Sequence, residues 1–255
     1  MYFTVLKKKK VIRVFFLFLA VLICTLTISA TNVSQVFYGY AIKKLPIYRV
    51  ETNEKKIAIS FDCAWGTTYT DQLLSIMQEE NVKCTFFMVE FWAEKYPDYV
   101  KKISDFGHEI GTHSATHPYM SKLDKSAIEK ELQTSSQAIE RVTGKKVELF
   151  RPPYGDYNDR LIETATSLNL YTIQWDVDSL DWKDLSAQQI YNRVTSKVKN
   201  GSIVLFHNQG LHTAEALKSI IEDLKNQGYT FVPIGELIYR TDFEMAVDGT
   251  QIKNS

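Results

Sequence analysis

The chain lacks an excess of charge of either sign, and it also lacks repeats. Its 255 residues carry 30 basic and 30 acidic side chains, and its hydrophobic fraction of 45% is ordinary for a globular protein. A balanced charge offers no electrostatic footprint for nucleic acid, so we expect no nucleic-acid partner. The sequence contains no internal repeat and no low-complexity segment. These observations leave a globular protein of one large domain or two small ones.

Cysteine is scarce, and the three cysteines do not predict a disulfide. Cys24 lies in an apolar segment, whereas Cys63 and Cys84 belong to the body of the chain. Cys63 ends one predicted strand and Cys84 begins the next, so the two lie at opposite ends of neighbouring parallel strands. A disulfide needs α-carbons within about 7 Å of each other. We therefore expect both thiols to be free.

The amino-terminal region, residues 1–30, is a separate segment. A basic run at residues 7–10 precedes an uncharged apolar run over residues 14–30. Such a pattern is typical of a secretory signal peptide or of a single membrane anchor. The residues before Ala30 make a poor cleavage site, which favours an uncleaved anchor helix over secretion after cleavage near residue 30. Basic residues before the run place the remainder of the chain outside the cytoplasm.

The rest of the chain shows the pattern of an α/β domain. Residues 31–54 have little periodicity and are interpreted as a linker, residues 55–241 as the domain, and residues 242–255 as a carboxyl-terminal tail. Within the domain, short apolar runs alternate with amphipathic stretches of about ten residues or more, which indicates parallel strands connected by helices. About seven such units favour a closed or nearly closed (β/α) barrel. The predicted strands are residues 57–61, 85–89, 108–111, 148–150, 171–176, 203–206 and 229–232.

Polar clusters follow five of these strands. A pair of histidines four residues apart is by itself as often ordinary as metal-binding. In a parallel barrel, however, the carboxyl ends of all strands meet at one rim, where active sites are built. Five clusters at that rim favour one shared site. The clusters are Asp62-Cys63, His113 with His117, Arg151 to Gly155, Asp176 to Trp182, and Leu205 to Asn208.

Together these clusters resemble the five motifs of the polysaccharide deacetylases, also called NodB-homology proteins or family 4 carbohydrate esterases. The resemblance covers about residues 50–240 and is closest to the sporulation-associated PdaB-like branch, through SFDCAWG, RPPYGDYN and WDVDSLDW. It implies a distorted (β/α) barrel of about seven parallel strands, here preceded by an N-terminal apolar helix. It also implies hydrolysis of N-acetyl groups on a cell-wall glycan such as peptidoglycan, with a divalent metal, most commonly zinc and alternatively cobalt.

The resemblance assigns a role to each motif residue. Asp62 matches the general base and Arg151 the arginine that holds it, while His207 matches the general acid and Asp181 its orienting carboxylate. A cation beside a carboxyl favours its ionised form, and a carboxylate beside a histidine favours the imidazolium that can protonate a leaving amine. We interpret the remaining single histidines, His108 and His212, as non-catalytic. The residues implied to contact substrate are Tyr154, Trp182, Leu205 and Pro152.

The metal site departs from the family pattern. His113 and His117 match the two histidine ligands, but most members have Asp-Asp where this chain has Asp62-Cys63. Cys63 is either a thiolate ligand that completes a zinc site or a small buried residue that leaves the metal weakly held. Two functions therefore stay open: a metal-dependent deacetylase, and a structural or binding protein that holds glycan without turnover. The retained proton-transfer residues favour the enzyme.

Overall fold

The computed structural model describes residues 15–23 and 43–254. The chain divides into two compact units, residues 1–43 and residues 44–255. In the first unit, residues 15–23 form helix α1, within the predicted apolar segment. The rest of that segment and most of the predicted linker lie outside the described residues. Among the residues that are described, no helix combines the length and the apolar character needed to cross a membrane.

The second unit alternates strands and helices as the sequence predicts. Its strands are β1 (Arg49–Val50), β2 (Lys56–Cys63), β3 (Thr85–Met88), β4 (Glu109–Thr112), β5 (Leu149–Phe150), β6 (Tyr171–Thr172), β7 (Val177–Asp178), β8 (Ile203–His207), β9 (Thr230–Phe231), β10 (Phe243–Met245) and β11 (Thr250–Lys253). Its helices are α2 (Thr70–Glu79), α3 (Glu90–Lys95), α4 (Pro97–Asp105), α5 (Lys125–Thr143), α6 (Asp159–Ser167), α7 (Ala187–Thr195), α8 (Thr213–Asn226) and α9 (Ile234–Leu237).

Seven parallel strands form a curled half-barrel in the order β6-β5-β4-β3-β2-β8-β7, and β9 adds to the start of β2. This confirms the predicted barrel of about seven strands. The central strand β2 is buried along nearly its whole length, as expected when both faces of a parallel sheet are covered. The ladder does not close, because β6 and β7 form its two edges.

Side chains of β2 alternate between two packed layers. Ile57, Ile59, Phe61 and Cys63 belong to the apolar cluster shared with the surrounding helices. Ala58 belongs instead to the smaller apolar cluster of the opposite face. Because successive side chains of a strand point to opposite faces, the positions between the helix-facing ones are directed to the barrel interior. Strand β2 therefore directs alternate side chains to the helix-facing core and to the barrel interior along its length up to the rim.

Residues before β2 fill the gap between the sheet edges. Ile47 N–H donates to Thr172 O at 2.9 Å and Ile47 O accepts from Gln174 N–H at 2.7 Å, while Val50 N–H donates to Gly201 O at 2.9 Å. Strand β1 also pairs with β11, which pairs with β10. The compact unit thus begins at residue 44 and includes the β10–β11 hairpin. Of the described residues, the predicted linker from residue 44 onward and the predicted tail belong to this compact unit. Strands of two to four residues leave no periodic pattern in the sequence.

Candidate active site

The site forms where adjacent strands end in register. Asp62 of β2 and His207 of β8 are direct partners in the parallel ladder, so their side chains emerge side by side. Strands β4 and β5 also end in register. His113 and Arg151, which directly follow these two strands, consequently reach the same rim. The structure thus brings together motif residues that are up to 145 positions apart in the chain, counting from Asp62 to His207 (207 − 62).

Asp62 is held as an anion by a fully buried arginine. Arg151 Nη1 donates to Asp62 Oδ1 at 2.8 Å, and Arg151 Nη2 donates to Ser60 Oγ at 2.8 Å and to Gln174 O at 3.2 Å. Burial alone would raise the pKa of Asp62, but the charge of Arg151 and its hydrogen bond lower the pKa below its ordinary value. Asp62 is therefore a carboxylate at neutral pH and can accept a proton.

His207 is held as a proton donor by a buried carboxylate. His207 Nδ1 donates to Asp181 Oδ1 at 2.8 Å, and Asp181 Oδ2 accepts both His207 N–H at 2.8 Å and Thr213 Oγ1–H at 2.6 Å. Burial opposes the imidazolium, yet the hydrogen bond to Asp181 and its charge raise the pKa of His207 above the ordinary value. The bonded Nδ1 leaves Nε2 as the ring nitrogen that can exchange a proton with a ligand.

The two predicted metal-binding histidines lie together and are uncharged. Their ring centroids are 4.9 Å apart. Burial lowers the pKa of His113, and burial together with His113 lowers that of His117 to about 4. His113 Nδ1–H donates to Arg151 O at 2.7 Å, which leaves Nε2 with its lone pair, 3.5 Å from Asp62 Oδ2. Backbone bonding of one ring nitrogen is the usual support of a histidine ligand.

These histidines fit a divalent ion, whereas Cys63 does not join them. His117 Nδ1 is buried and finds no hydrogen-bond partner within the described part of the chain. Neutral imidazoles with available ring nitrogens are the form that metals bind. Cys63 instead packs in the helix-facing apolar cluster, where burial raises the pKa of its thiol. Across residues 15–23 and 43–254, no three His, Cys, Asp or Glu side chains are grouped to hold a metal.

The position of Cys63 therefore agrees with the alternative in which it is a small buried residue and not a metal ligand. Both Cys63 and Cys84 are free and buried, which confirms the prediction that they form no disulfide. The strand alternation explains the orientation, because Cys63 follows the interior-facing Asp62 by one residue. A metal at His113 and His117 would complete its coordination with water or substrate rather than with sulfur.

A cavity of about 630 Å³ opens above these groups. Its wall includes three of the four predicted substrate-contacting residues, Tyr154, Trp182 and Leu205. Tyr154 adopts φ 60° in a tight turn, and its ring contacts His117 at 4.5 Å between centroids. Pro152 is buried in the same turn and is not part of the wall. The wall combines one acid-base pair, two neutral imidazoles and exposed aromatic rings, an arrangement that can exchange protons with a bound ligand.

Several residues of the site were not predicted. Ser60 and Thr213 are hydrogen-bonded to Arg151 and Asp181, and Trp65, Trp175 and Gln209 line the cavity. Ser60 and Trp65 lie two residues from Asp62 and Cys63, Trp175 directly precedes Asp176, and Gln209 directly follows Asn208. Proximity to a motif was therefore the available signal.

Asp176 and the two histidines interpreted as non-catalytic have partners outside the acid-base pair. Asp176 accepts hydrogen bonds from Ser202 and from the amide of Ile203. His108 is buried beside Cys84, and His212 pairs with Glu215 at 3.1 Å.

Comparisons with known proteins agree with this geometry. The family described as Polysaccharide deacetylase matches residues 49–173. The chain is 37% identical over 196 residues to a Bacillus cereus peptidoglycan-N-acetylglucosamine deacetylase, covering 75% of this chain and 92% of that protein. It is 36% identical to the uncharacterized Bacillus subtilis protein YlxY, covering 77% of this chain and 61% of YlxY.

Solved structures of the same class include an inactive relative. Wild-type BA3943 from Bacillus anthracis, described as a CE4 family pseudoenzyme, superposes with a TM-score of 0.73 at 34% identity, covering 82% of this chain and 73% of BA3943. A BA3943 mutant, described as having restored enzymatic activity, gives a TM-score of 0.73 at 37% identity, covering 80% and 72%. The fold is that of a polysaccharide deacetylase. Within that class, the chain belongs to the CE4 family of peptidoglycan deacetylases.

Proposed function

We propose that this protein is a divalent-metal-dependent hydrolase that removes N-acetyl groups from peptidoglycan or a related N-acetylated glycan. The observation that carries the proposal is the in-register pair of Asp62 and His207 in one cavity. One is kept ionised by Arg151 and the other protonated by Asp181. A protein that only bound glycan would not need an ionised carboxylate and a protonated histidine side by side on neighbouring strands.

The residues divide the reaction between them. His113 and His117 would hold a divalent ion, which would polarise the amide carbonyl and activate water. Asp62 accepts the proton of the attacking water, and Arg151 keeps its carboxylate ionised before each cycle. His207 donates a proton to the departing amine. Asp181 fixes the ring of His207 and stabilises its charge.

We infer the place of action from the amino-terminal residues. A basic cluster before an apolar run supports a site outside the cytoplasm, with the chain anchored at the membrane by its amino end. A cell-wall glycan is available there. The resemblance of the motif strings to the PdaB-like branch supports a role in sporulation.

Acetate release from N-acetylglucosamine oligomers and muropeptides tests the proposal. We expect the full-length chain to release acetate when zinc or cobalt is supplied, and to stop when a chelator removes the metal. His207→Ala should lower kcat by about 10²- to 10⁴-fold, because it removes a general acid. His212→Ala is the matched control, since that histidine pairs with Glu215 and is not among the residues of the cavity wall, and it should retain full activity. No acetate from any glycan with either metal would refute the enzyme.

A glycan-binding protein without turnover is the second candidate. It is favoured by the two-histidine metal site, which lacks a third grouped ligand in the described residues, and by the likeness to a protein described as a pseudoenzyme. Equilibrium binding of the same oligomers with no acetate release under any metal condition would select this candidate.

A further inference from the structure

We propose that Trp65 and Gln209 form a binding site for a second sugar ring of the glycan, beside the ring that carries the reacting acetamido group. The inference rests on the proposed function for the identity of its ligand. Both residues line the same cavity as Asp62 and His207. The site would therefore be continuous with the reaction centre.

Trp65 presents an exposed aromatic ring to this cavity. Its side chain is 67% exposed even though it follows the buried strand β2 closely. The indole lies 5.4 Å from the ring of Phe91 between centroids, at an angle of 41°. The indole is thus in contact with protein, while most of its surface stays available for a ligand. A flat apolar face suits the C–H face of a pyranose.

The loop that carries Trp65 is fixed by buried donors. Gly66 O accepts from Trp92 Nε1–H at 2.7 Å and from Asn208 Nδ2–H at 2.9 Å. Asn208 Nδ2 also lies 3.3 Å from Trp65 O. Trp92 and Asn208 are both 1% exposed. Because the loop is ordered by these contacts before a ligand binds, little conformational entropy is lost on binding.

Gln209 adds a polar group without a protein partner. Its amide lies over Gly66, where an added Cβ would come within 3.0 Å of Gln209 Cδ and Nε2. In the described chain, Gln209 Nε2 is buried and has no hydrogen-bond partner. Buried polar atoms are nearly always satisfied by protein or ligand. A sugar hydroxyl or acetamido carbonyl that entered beside Trp65 would accept this hydrogen bond after a small rotation of the amide.

The chemistry of the wall disfavours an anionic ligand. Of the residues described, no lysine or arginine lines the cavity, and the neighbours of Trp65 there are Ala64, Asn208, Gln209 and Gly210. An anionic lipid or an acidic peptide would find no cation at this position. A neutral ring with one apolar face and outward hydroxyls matches an indole beside an amide.

Binding measurements on a chain that cannot turn over separate this site from the reaction. In a His207→Ala background of the full-length protein, titration calorimetry compares the monomer and the tetramer of N-acetylglucosamine. We expect Trp65→Ala to weaken tetramer binding roughly tenfold, the usual cost of removing an aromatic anchor, and to change monomer binding less than twofold. Trp65→Phe should restore most of the tetramer affinity, and Gln209→Ala should weaken the tetramer by a smaller factor.

Val247→Ala serves as the matched control, because Val247 is 99% exposed and is not part of the cavity wall, and it should leave both affinities unchanged. Equal tetramer affinity for Trp65→Ala and its parent would overturn the proposal, as would equal losses for monomer and tetramer. Acetate release by the unmodified chain is measured separately. Trp65-dependent tetramer binding without acetate release would support this site while refuting the proposed enzyme.

Discussion

At the scale of residues, the site depends on buried charges that stabilise each other. Arg151 is fully buried, lies 4.2 Å from the ring centroid of Phe87, and pairs with Asp62. Removing a charge pair from water costs about as much as its attraction returns. Such a pair therefore contributes little net stability, and its value lies in keeping Asp62 ionised. The same reasoning applies to Asp181, which is completely buried beneath His207.

Replacing Asp181 with asparagine tests the assigned proton donor. The hydrogen bond to Asp181 and its charge raise the pKa of His207, so Asp181→Asn should lower that pKa. Activity that requires protonated His207 is present below this pKa and is lost as the pH rises through it. The alkaline limb of the pH–rate profile should therefore move to lower pH, and kcat at pH 8 should fall by about 10²-fold or more.

Nuclear magnetic resonance titration of His207 provides a readout that does not require activity. The control is Asp223→Asn, which removes a carboxylate bonded to Tyr191 on the helical layer and should leave the profile unchanged. An alkaline limb that stays in place in Asp181→Asn would contradict the assignment of His207 as the acid.

Replacing Cys63 with alanine tests whether this residue ligates a metal or only packs in the core. Cys63 packs among apolar side chains, so we expect Cys63→Ala to keep the zinc affinity within about twofold and to lower the free energy of unfolding by about 1 kcal/mol. Cys84→Ala, another free buried cysteine, is the control for loss of a buried sulfur. A loss of zinc affinity by orders of magnitude in Cys63→Ala alone would show that the thiolate ligates.

At the scale of elements, the half-barrel depends on a short segment that closes its gap. Residues 47–50 bond to the end of β6 on one side and to Gly201, just before β8, on the other. Gly201 has φ +76°, and an added Cβ would lie 1.7 Å from Val50 O. This close approach is possible only for glycine, because both the backbone conformation and the space exclude a side chain.

Gly201→Ala should accordingly destabilise the fold strongly. We expect a loss of about 3 kcal/mol or more in chemical denaturation, made up of left-handed strain and displacement of the closing segment. Gly144→Ala is a matched control, since Gly144 has φ +67° with nothing within 4 Å of an added Cβ. It should cost only about 1 kcal/mol. Equal losses for the two variants would show that the closing segment contributes nothing.

Helices illustrate what sequence patterns predict reliably. Helix α5 begins and ends at two local signals that the sequence carries, Asp124 and Gly144. Asp124 Oδ1 accepts from Ala127 N–H at 2.8 Å, and Gly144 adopts the left-handed conformation. Caps and stops are local, so neighbouring residues suffice to predict them. The pairing of β1 with β11 joins residues about 200 positions apart, and no local pattern encodes that contact.

At the scale of the whole molecule, the candidate active site and the buried histidine His108 lie at opposite ends of the strands. The motif residues follow the carboxyl ends, whereas His108 directly precedes β4 at its amino end. His108 is 4% exposed, and its Nδ1 accepts from Cys84 N–H at 3.3 Å. Burial, followed by the charge of Lys83, lowers the pKa of His108 to about 4. The folded protein therefore keeps this imidazole neutral.

This burial predicts a loss of stability in acid. Between the ordinary pKa of 6.5 and the folded value of about 4, the unfolded chain binds more protons at His108 than the folded chain does. The free energy of unfolding should therefore decrease as the pH falls through this range, with His108 contributing about 3 kcal/mol in total. His108→Gln should remove that part of the pH dependence in urea denaturation measured between pH 7 and pH 4.

His212→Gln is the control, because His212 lies at the start of α8 with 37% of its side chain exposed, and it should keep the slope of the parent protein. A slope in His108→Gln identical to that of the parent would mean that His108 is protonated in the folded state.

The sequence by itself determined the alternation of strands and helices, the seven-strand barrel and the rim on which Asp62, His113, Arg151 and His207 meet. Each of these follows from local periodicity and from the rule that parallel strands end on one side. The tertiary structure decided which way each side chain at the rim is directed. Cys63 enters the core, Trp65 remains exposed, and Gln209 lies over Gly66. These orientations depend on where a strand ends and on what packs against it from distant parts of the chain, and a pattern of neighbouring residues does not contain that information.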